Sequence, residues 1–211
     1  MKKNKLILLG GGGHCKSVID VAESAGYTIL GILDKPETIG QKVLSCKIIG
    51  TDNDIPLYVD KADFLITVGQ IKSNAIRVKL AKLVEKAGGK FATIIANDAH
   101  VSKHAEIGEG TVVMHKAIVN ADASIGKQCI INTMADIEHD TRIGDFCHIS
   151  TAAIVNGEVK VGNNVFIGSQ AVIHNCKNIT NDIIIAAGSV VTRNLDKSGI
   201  YAGNPAKHYG I

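Results

Sequence analysis

The chain has 211 residues, room for one large domain or two small ones, and a formal net charge of +3 with Lys and Glu interspersed. That balance argues against a nucleic-acid partner, and the absence of an apolar run of about 18 residues or a signal-like start argues against membrane insertion. Apolar residues make up 45% but aromatics only 4%, with no Trp, so the core must be built from Val, Ile and Ala in repetitive packing. The five cysteines form no CxxC pair and read as reduced thiols of a cytoplasmic protein.

In chain order, KLILL at 5–9 predicts a buried strand, GGGGH follows at 10–14, and an amphipathic run leads to Gly26. YTILGILD at 27–34 and DFLITVG at 63–69 predict further strands, 72–88 a helix and KFATII at 90–95 a fourth strand. This alternation predicts a small parallel sheet with helices on its faces, a Rossmann-like α/β domain over residues 1–94. Glycines after the first strand let backbone N–H groups approach a phosphate at a helix start, and Asp34 follows at the distance where an acid meets a ribose or base. The GxGxxG match is partial, with Cys15 where the last Gly is expected. Taken alone, the stretch fits a ligand-free strand-to-helix turn equally well.

From Ile95 to Val191 every sixth residue is Val or Ile, seventeen in succession. The position two earlier is small, as at Ala117, Ala123, Cys129, Ala135, Thr141 and Cys147, and Gly108, Gly126, Gly144 and Gly162 recur 18 apart. A period of six fits neither a helix nor a plain strand; it fits hexapeptide repeats, three of which close one triangular coil. Five to six coils are expected over about 95–192, with the aliphatic and the small residue pointing inward. Cys129 and Cys147 then stack inside as core-filling thiols.

Glu138-His139-Asp140 interrupts this run. His139 is two residues after an inward Ile and points out, and Gly157 lies one coil above it with no side chain. A thioester carbonyl needs such a gap and an N–H donor. A carboxylate beside a His fixes its tautomer and raises its basicity, as a general base requires. His148 lies half a coil away, where an adjacent subunit could present it to the same cleft.

The stretch VNADASIGKQCIINTMADIEHDTRIGDFCHISTAAIVNGEVKVGNNVFIGSQAVI, with GGGGH and Asp34 in front and GNPAK behind, resembles bacterial hexapeptide-repeat sugar acetyltransferases of the sialic acid O-acetyltransferase family. That group includes N-acetyltransferases of UDP-4-amino-4,6-dideoxy sugars. The resemblance implies a left-handed parallel β-helix over 95–211, acetyl-CoA as cosubstrate without a metal, and a homotrimer with sites at subunit interfaces. It maps the general base to His139, supported by Asp140, and implies acetyl-CoA contacts from His148, Gly157, Ser169 and Ala187. It implies a nucleotide-sugar pocket from Gly11, Gly12, Gly13, His14 and Asp34, with Asn132 lining the sugar site. Two differences stand out: Asp140 replaces the Glu of the bacillosamine-pathway enzyme, and VGQIKSNAIR at 68–77 is longer than its turn.

Acetylation of a nucleotide-linked, UDP-type amino sugar is the leading expectation; O-acetylation of sialic acid or a related sugar is the alternative, and a non-catalytic coil protein a third. A metal-dependent hydratase would need converging His ligands, which the spacing of the histidines does not supply. A nicotinamide oxidoreductase would leave Glu138-His139-Asp140 unexplained.

Overall fold

The computed structural model describes residues 4–210. The chain divides into two compact units, with the boundary between Asn97 and Asp98.

In the first unit, the apolar run at the start becomes β1 (Lys5–Leu9), whose last four residues are buried. Helix α1 (Gly13–Ser24) buries Cys15, Val18, Ile19, Val21 and Ala22, one face at helical spacing. Then come β2 (Thr28–Leu33), β3 (Lys42–Val43), β4 (Cys46–Gly50), β5 (Asp63–Ile66) and α2 (Ala75–Lys86). The sheet order is β3-β4-β2-β1-β5. β1 pairs in parallel with β2 on one side and β5 on the other, β2 in parallel with β4, and only β3 is antiparallel. The direction of strand succession therefore reverses at β1, which places the crevice outside its carboxyl end.

Sequence reading passed over β3 and β4, a hairpin turning at Leu44 with φ 52°. The 90–95 strand is not continuous: Phe91 bridges Phe64 of β5, and only Ile94–Ile95 is extended as a separate strand. Helix α2 begins at Ala75 rather than 72, where the Ser73 hydroxyl accepts from Ala75 N–H.

The second unit is a parallel β-helix of two-residue strands in three stacked sheets. One face carries His100–Val101, Ile118–Val119, Asp136–Ile137, Ile154–Val155, Val172–Ile173 and Val190–Val191. A second carries Glu106–Ile107 through Asn178–Ile179, and a third includes Val112–Val113, Ile130–Ile131, His148–Ile149, Phe166–Ile167 and Ile183–Ile185. Partners are one coil apart, as in Val119 with Val101 and Ile137. Val119, Ile131, Ile137, Ile149, Val155, Ile167 and Ile173 are fully buried in one column-like core together with Ala117, Cys129, Ala135, Cys147 and Ala153. Ile95, first of the series, stays outside this core with 36% exposure.

Inward hydroxyls and thiols are not left unpaired, which would be costly in this core. Thr111 donates to the Gly126 carbonyl at 2.8 Å, and the Cys129 and Cys147 thiols donate to Gly144 and Gly162 at 3.1 Å each. The turns carry the period in the backbone: every sixth residue from Lys116 to Asp182 has φ near +55° to +60°. None of these twelve is glycine or β-branched, as expected where a branched Cβ would clash in the left-handed region. After the last coil, Gly199–Ala202 adds in parallel to Ile183–Ile185, and Lys207–His208 turns back on it.

Candidate functional site

The crevice end of β1 is the first candidate region. Gly10 has φ 104°, and a Cβ there would lie 2.5 Å from Val68 Cγ2. Gly11 N–H donates to Asp34 Oδ2 at 2.8 Å, and Lys35 N–H donates to Oδ1 at 2.9 Å, so Asp34 also holds the loop's shape. Gly12 is the residue before α1, and Gly12 and Gly13 have open space where side chains would stand. The first turn of α1 has no side-chain cap and no acidic residue. Such a helix start is open to an anion. His14 is half-buried beside Gly69. Cys15, in place of the third glycine, is fully buried beneath the loop, and burial pushes its thiol up to about 11 despite a hydrogen bond with Thr67. Its small side chain keeps the helix close to the sheet.

On the coil, Asp140 occupies one of the left-handed turn positions, with φ 60°. This turn sets its carboxylate beside the preceding ring: Asp140 Oδ2 lies 2.8 Å from His139 Nδ1. A carboxylate only accepts, so Nδ1 carries the proton and Nε2 is the nitrogen left for chemistry in the neutral ring. The His139 side chain is 59% exposed. Its hydrogen bond with Asp140, helped by the charges of Asp140, Glu138 and Glu158, raises its basicity above the ordinary histidine value. Asp140 is held below the usual carboxylate range by His139 first, then by Asp122 and Arg142. Gly157 lies directly over the ring: a Cβ at 157 would be 2.7 Å from both Cε1 and Nε2. Stacking fixes this alignment, because Glu158 N–H donates to the His139 carbonyl at 3.0 Å.

The remaining positions fall elsewhere on the coil. Asn132 and His148 meet on the third face, Nδ2 to Nε2 at 3.0 Å, while Asn132 Oδ1 accepts from Thr133 N–H at 2.8 Å. The amide nitrogen can only donate, so His148 Nε2 is the acceptor of this bond. His148 is only 7% exposed and stands edge-on to Phe166, ring centroids 5.2 Å apart. Ser169 and Ala187 stack at the corner joining the third and first faces, where Gly188 N–H donates to the Ser169 carbonyl at 2.9 Å and the Ser169 and Ser150 hydroxyls are 3.0 Å apart. His139 and Gly157 occupy the corner between the first and second faces. Within one chain the site residues thus form two groups rather than one. Among the described residues, no group of three or more His, Cys, Asp or Glu is placed to hold a metal ion, and no helix is long and apolar enough to cross a membrane.

Sequence reading had missed Asp122 and Arg142, which face Asp140 from the coil below and the next strand. The 18-residue spacing of Asp122 from Asp140 was the available signal.

A glycine-looped α/β unit joined to a hexad coil with an outward His–carboxylate pair defines a two-part acyltransferase class. Comparison narrows it. Residues 5–84 match the PglD N-terminal domain and residues 140–175 the bacterial transferase hexapeptide repeats. The perosamine N-acetyltransferase of Caulobacter crescentus, solved with CoA and GDP-perosamine, is 33% identical, with 99% of this chain and 98% of that one covered and a TM-score of 0.92. The acetyltransferase domain of PglB from Neisseria gonorrhoeae, solved with acetyl coenzyme A, is 31% identical over 97% and 98% of the two chains, TM-score 0.89. The chain also matches, at 37% identity over 103 residues, the uncharacterized protein L142 of Acanthamoeba polyphaga mimivirus, and spans 20% of that protein's length. The chain belongs to the hexapeptide-repeat sugar acetyltransferases that carry a PglD N-terminal domain.

Proposed function

We propose that this protein transfers the acetyl group of acetyl-CoA to the amino group of a nucleotide-linked 4-amino-4,6-dideoxy sugar, with His139 as general base. The observation that carries this reading is the His139–Asp140 pair at 2.8 Å beneath the side-chain-free rung at Gly157. The neighbours bound to CoA, acetyl-CoA and GDP-perosamine support the substrate class.

In this reading the nucleotide docks on Gly11, Gly12 and Gly13 with His14 and Asp34 at its edge. The sugar amine attacks the thioester carbonyl carbon directly. His139 Nε2 takes the amine proton as the C–N bond forms, and the C–S bond then breaks. The imidazolium returns the proton to the departing thiolate, leaving CoA as the free thiol. The Gly157 amide, or the Nδ1–H of His148, donates to the oxyanion. Each such contribution is typically about 10²–10³-fold. His148 and Asn132 lie on a different face from His139, so the complete cleft takes its second wall, with Ser169 and Ala187, from a neighbouring copy in a homotrimer. The reaction runs in the cytoplasm, where the thiols of this chain stay reduced.

The test is a thiol-release assay with acetyl-CoA against UDP-linked and GDP-linked 4-amino sugars and free sialic acid. Turnover with one of the nucleotide-linked amines and none with sialic acid is expected. Turnover with sialic acid alone, or with none of the three, refutes the reading.

A further inference from the structure

Arg142 sits on the strand after the His139 turn and is not among the residues used above. Its guanidinium reaches back to the coil below: Nη1 donates to the Asp122 carbonyl, and Nη2 lies 3.4 Å from Asp122 Oδ2. Asp122 holds the left-handed turn position one coil below Asp140, with φ 58° against 60°. Asp140 N–H donates to the Ala121 carbonyl at 3.2 Å, which stacks the two turns. Asp122 faces the Asp140 carboxylate and, together with Arg142, favours its ionised form, and Asp140 must point at His139 Nδ1 to hold the ring. We infer that Arg142 and Asp122 form a positioning pair that keeps Asp140 aimed at His139 and tunes how tightly His139 holds its proton.

The charges facing the imidazole decide the sign. Asp140, Glu138 and Glu158 act on His139 as anions. Asp122 stands behind Asp140, and Arg142 is the cation on that side. Asn120 donates to Glu138 at 3.0 Å and the Cys176 thiol to Glu158 at 3.9 Å, both without adding charge. Removing Arg142 leaves the anions uncompensated, so the imidazolium becomes more stable and the ring titrates at higher pH. Removing the charge of Asp122 has the opposite effect. Both groups are about half-exposed or more, at 48% and 67%, so the shifts are those of screened surface charges, small and sensitive to salt.

The inference concerns His139 as the base and so rests on the proposed function, but it is measured without turnover. Protein labelled at histidine Cε1 is titrated by NMR, with His139→Asn identifying the signal. Arg142→Ala is expected to move the His139 midpoint up, Asp122→Asn to move it down, and the double variant to return near the wild type. Raising salt from 50 mM to 1 M should shrink every shift. Midpoints unchanged in both single variants, with only a lowered melting temperature, would show a mere staple between coils and overturn the inference. Shifts of the same sign would overturn it equally. Arg142→Lys, which keeps the charge but loses the fork, should restore most of the midpoint. The acidic limb of the kcat/KM profile, run in parallel, tests the other claim. If the NMR midpoints move and that limb does not follow, His139 loses the base role while the positioning pair stands.

Discussion

Replacing Gly157 with Ala probes the site at the contact where its geometry is tightest. The added methyl would lie 2.7 Å from both Cε1 and Nε2 of His139, against an ordinary contact of about 3.4 Å or more, so the ring must retreat by about 0.7 Å. The backbone at 157 needs no left-handed conformation, so the imidazole moves rather than the coil. A displacement of that size disturbs the 2.8 Å bond to Asp140 that orients the ring. It also shuts the gap above the ring where the thioester would sit. Misplacement on this scale costs about a hundredfold in turnover. The ring is mostly solvent-exposed and free to swing, so stability should fall by less than about 1 kcal/mol. The assay is thiol release under saturating acetyl-CoA, with a melting curve on the same sample. Wild-type turnover in Gly157→Ala would refute the argument that this rung must be bare.

Two further outcomes follow from groups away from the base. Asp136 lies half-buried on the first face, and its buried Oδ1 has no hydrogen-bond partner; burial first, then Glu138, raises its affinity for a proton. A carboxyl that is more basic folded than unfolded costs stability as pH rises past its ordinary range, so Asp136→Asn should melt about 1–3 °C higher at pH 7, with the gain shrinking toward pH 4. A lower melting temperature at pH 7 would contradict this. Cys176 is exposed and the other four cysteines are buried. Ellman's reagent on the native protein should therefore titrate one thiol per chain quickly, and fast reaction of more than one would contradict the burial of the other four.

The coil was legible because its physics repeats. Every sixth aliphatic must fill the same prism, so the register from Val101 to Val191 survives any local detail. Gly157 over His139 follows from the same arithmetic. What the sequence hid depends on partners distant in the chain. The β3–β4 hairpin is short and turns at Leu44 without a glycine signal. Gly199–Ala202 becomes a strand only because Ile183–Ile185 offers it an edge. His148 holds an outward position by alternation, yet Phe166 and Ile130, one rung to either side, bury it. The left-handed turns escaped notice because Lys, Asp, Gln, Met, Phe, Ala, Glu, Asn and Cys fill them in place of glycine. Arg142 escaped for a related reason, since the corner it clamps exists only once the coils are stacked.

The most direct measurement is thiol release by His139→Asn with its best nucleotide-linked amino sugar, alongside CoA binding by calorimetry. Turnover should fall at least about a hundredfold while CoA still binds. Near-normal turnover in that variant would mean that another group takes the amine proton, and the account of this site would be wrong.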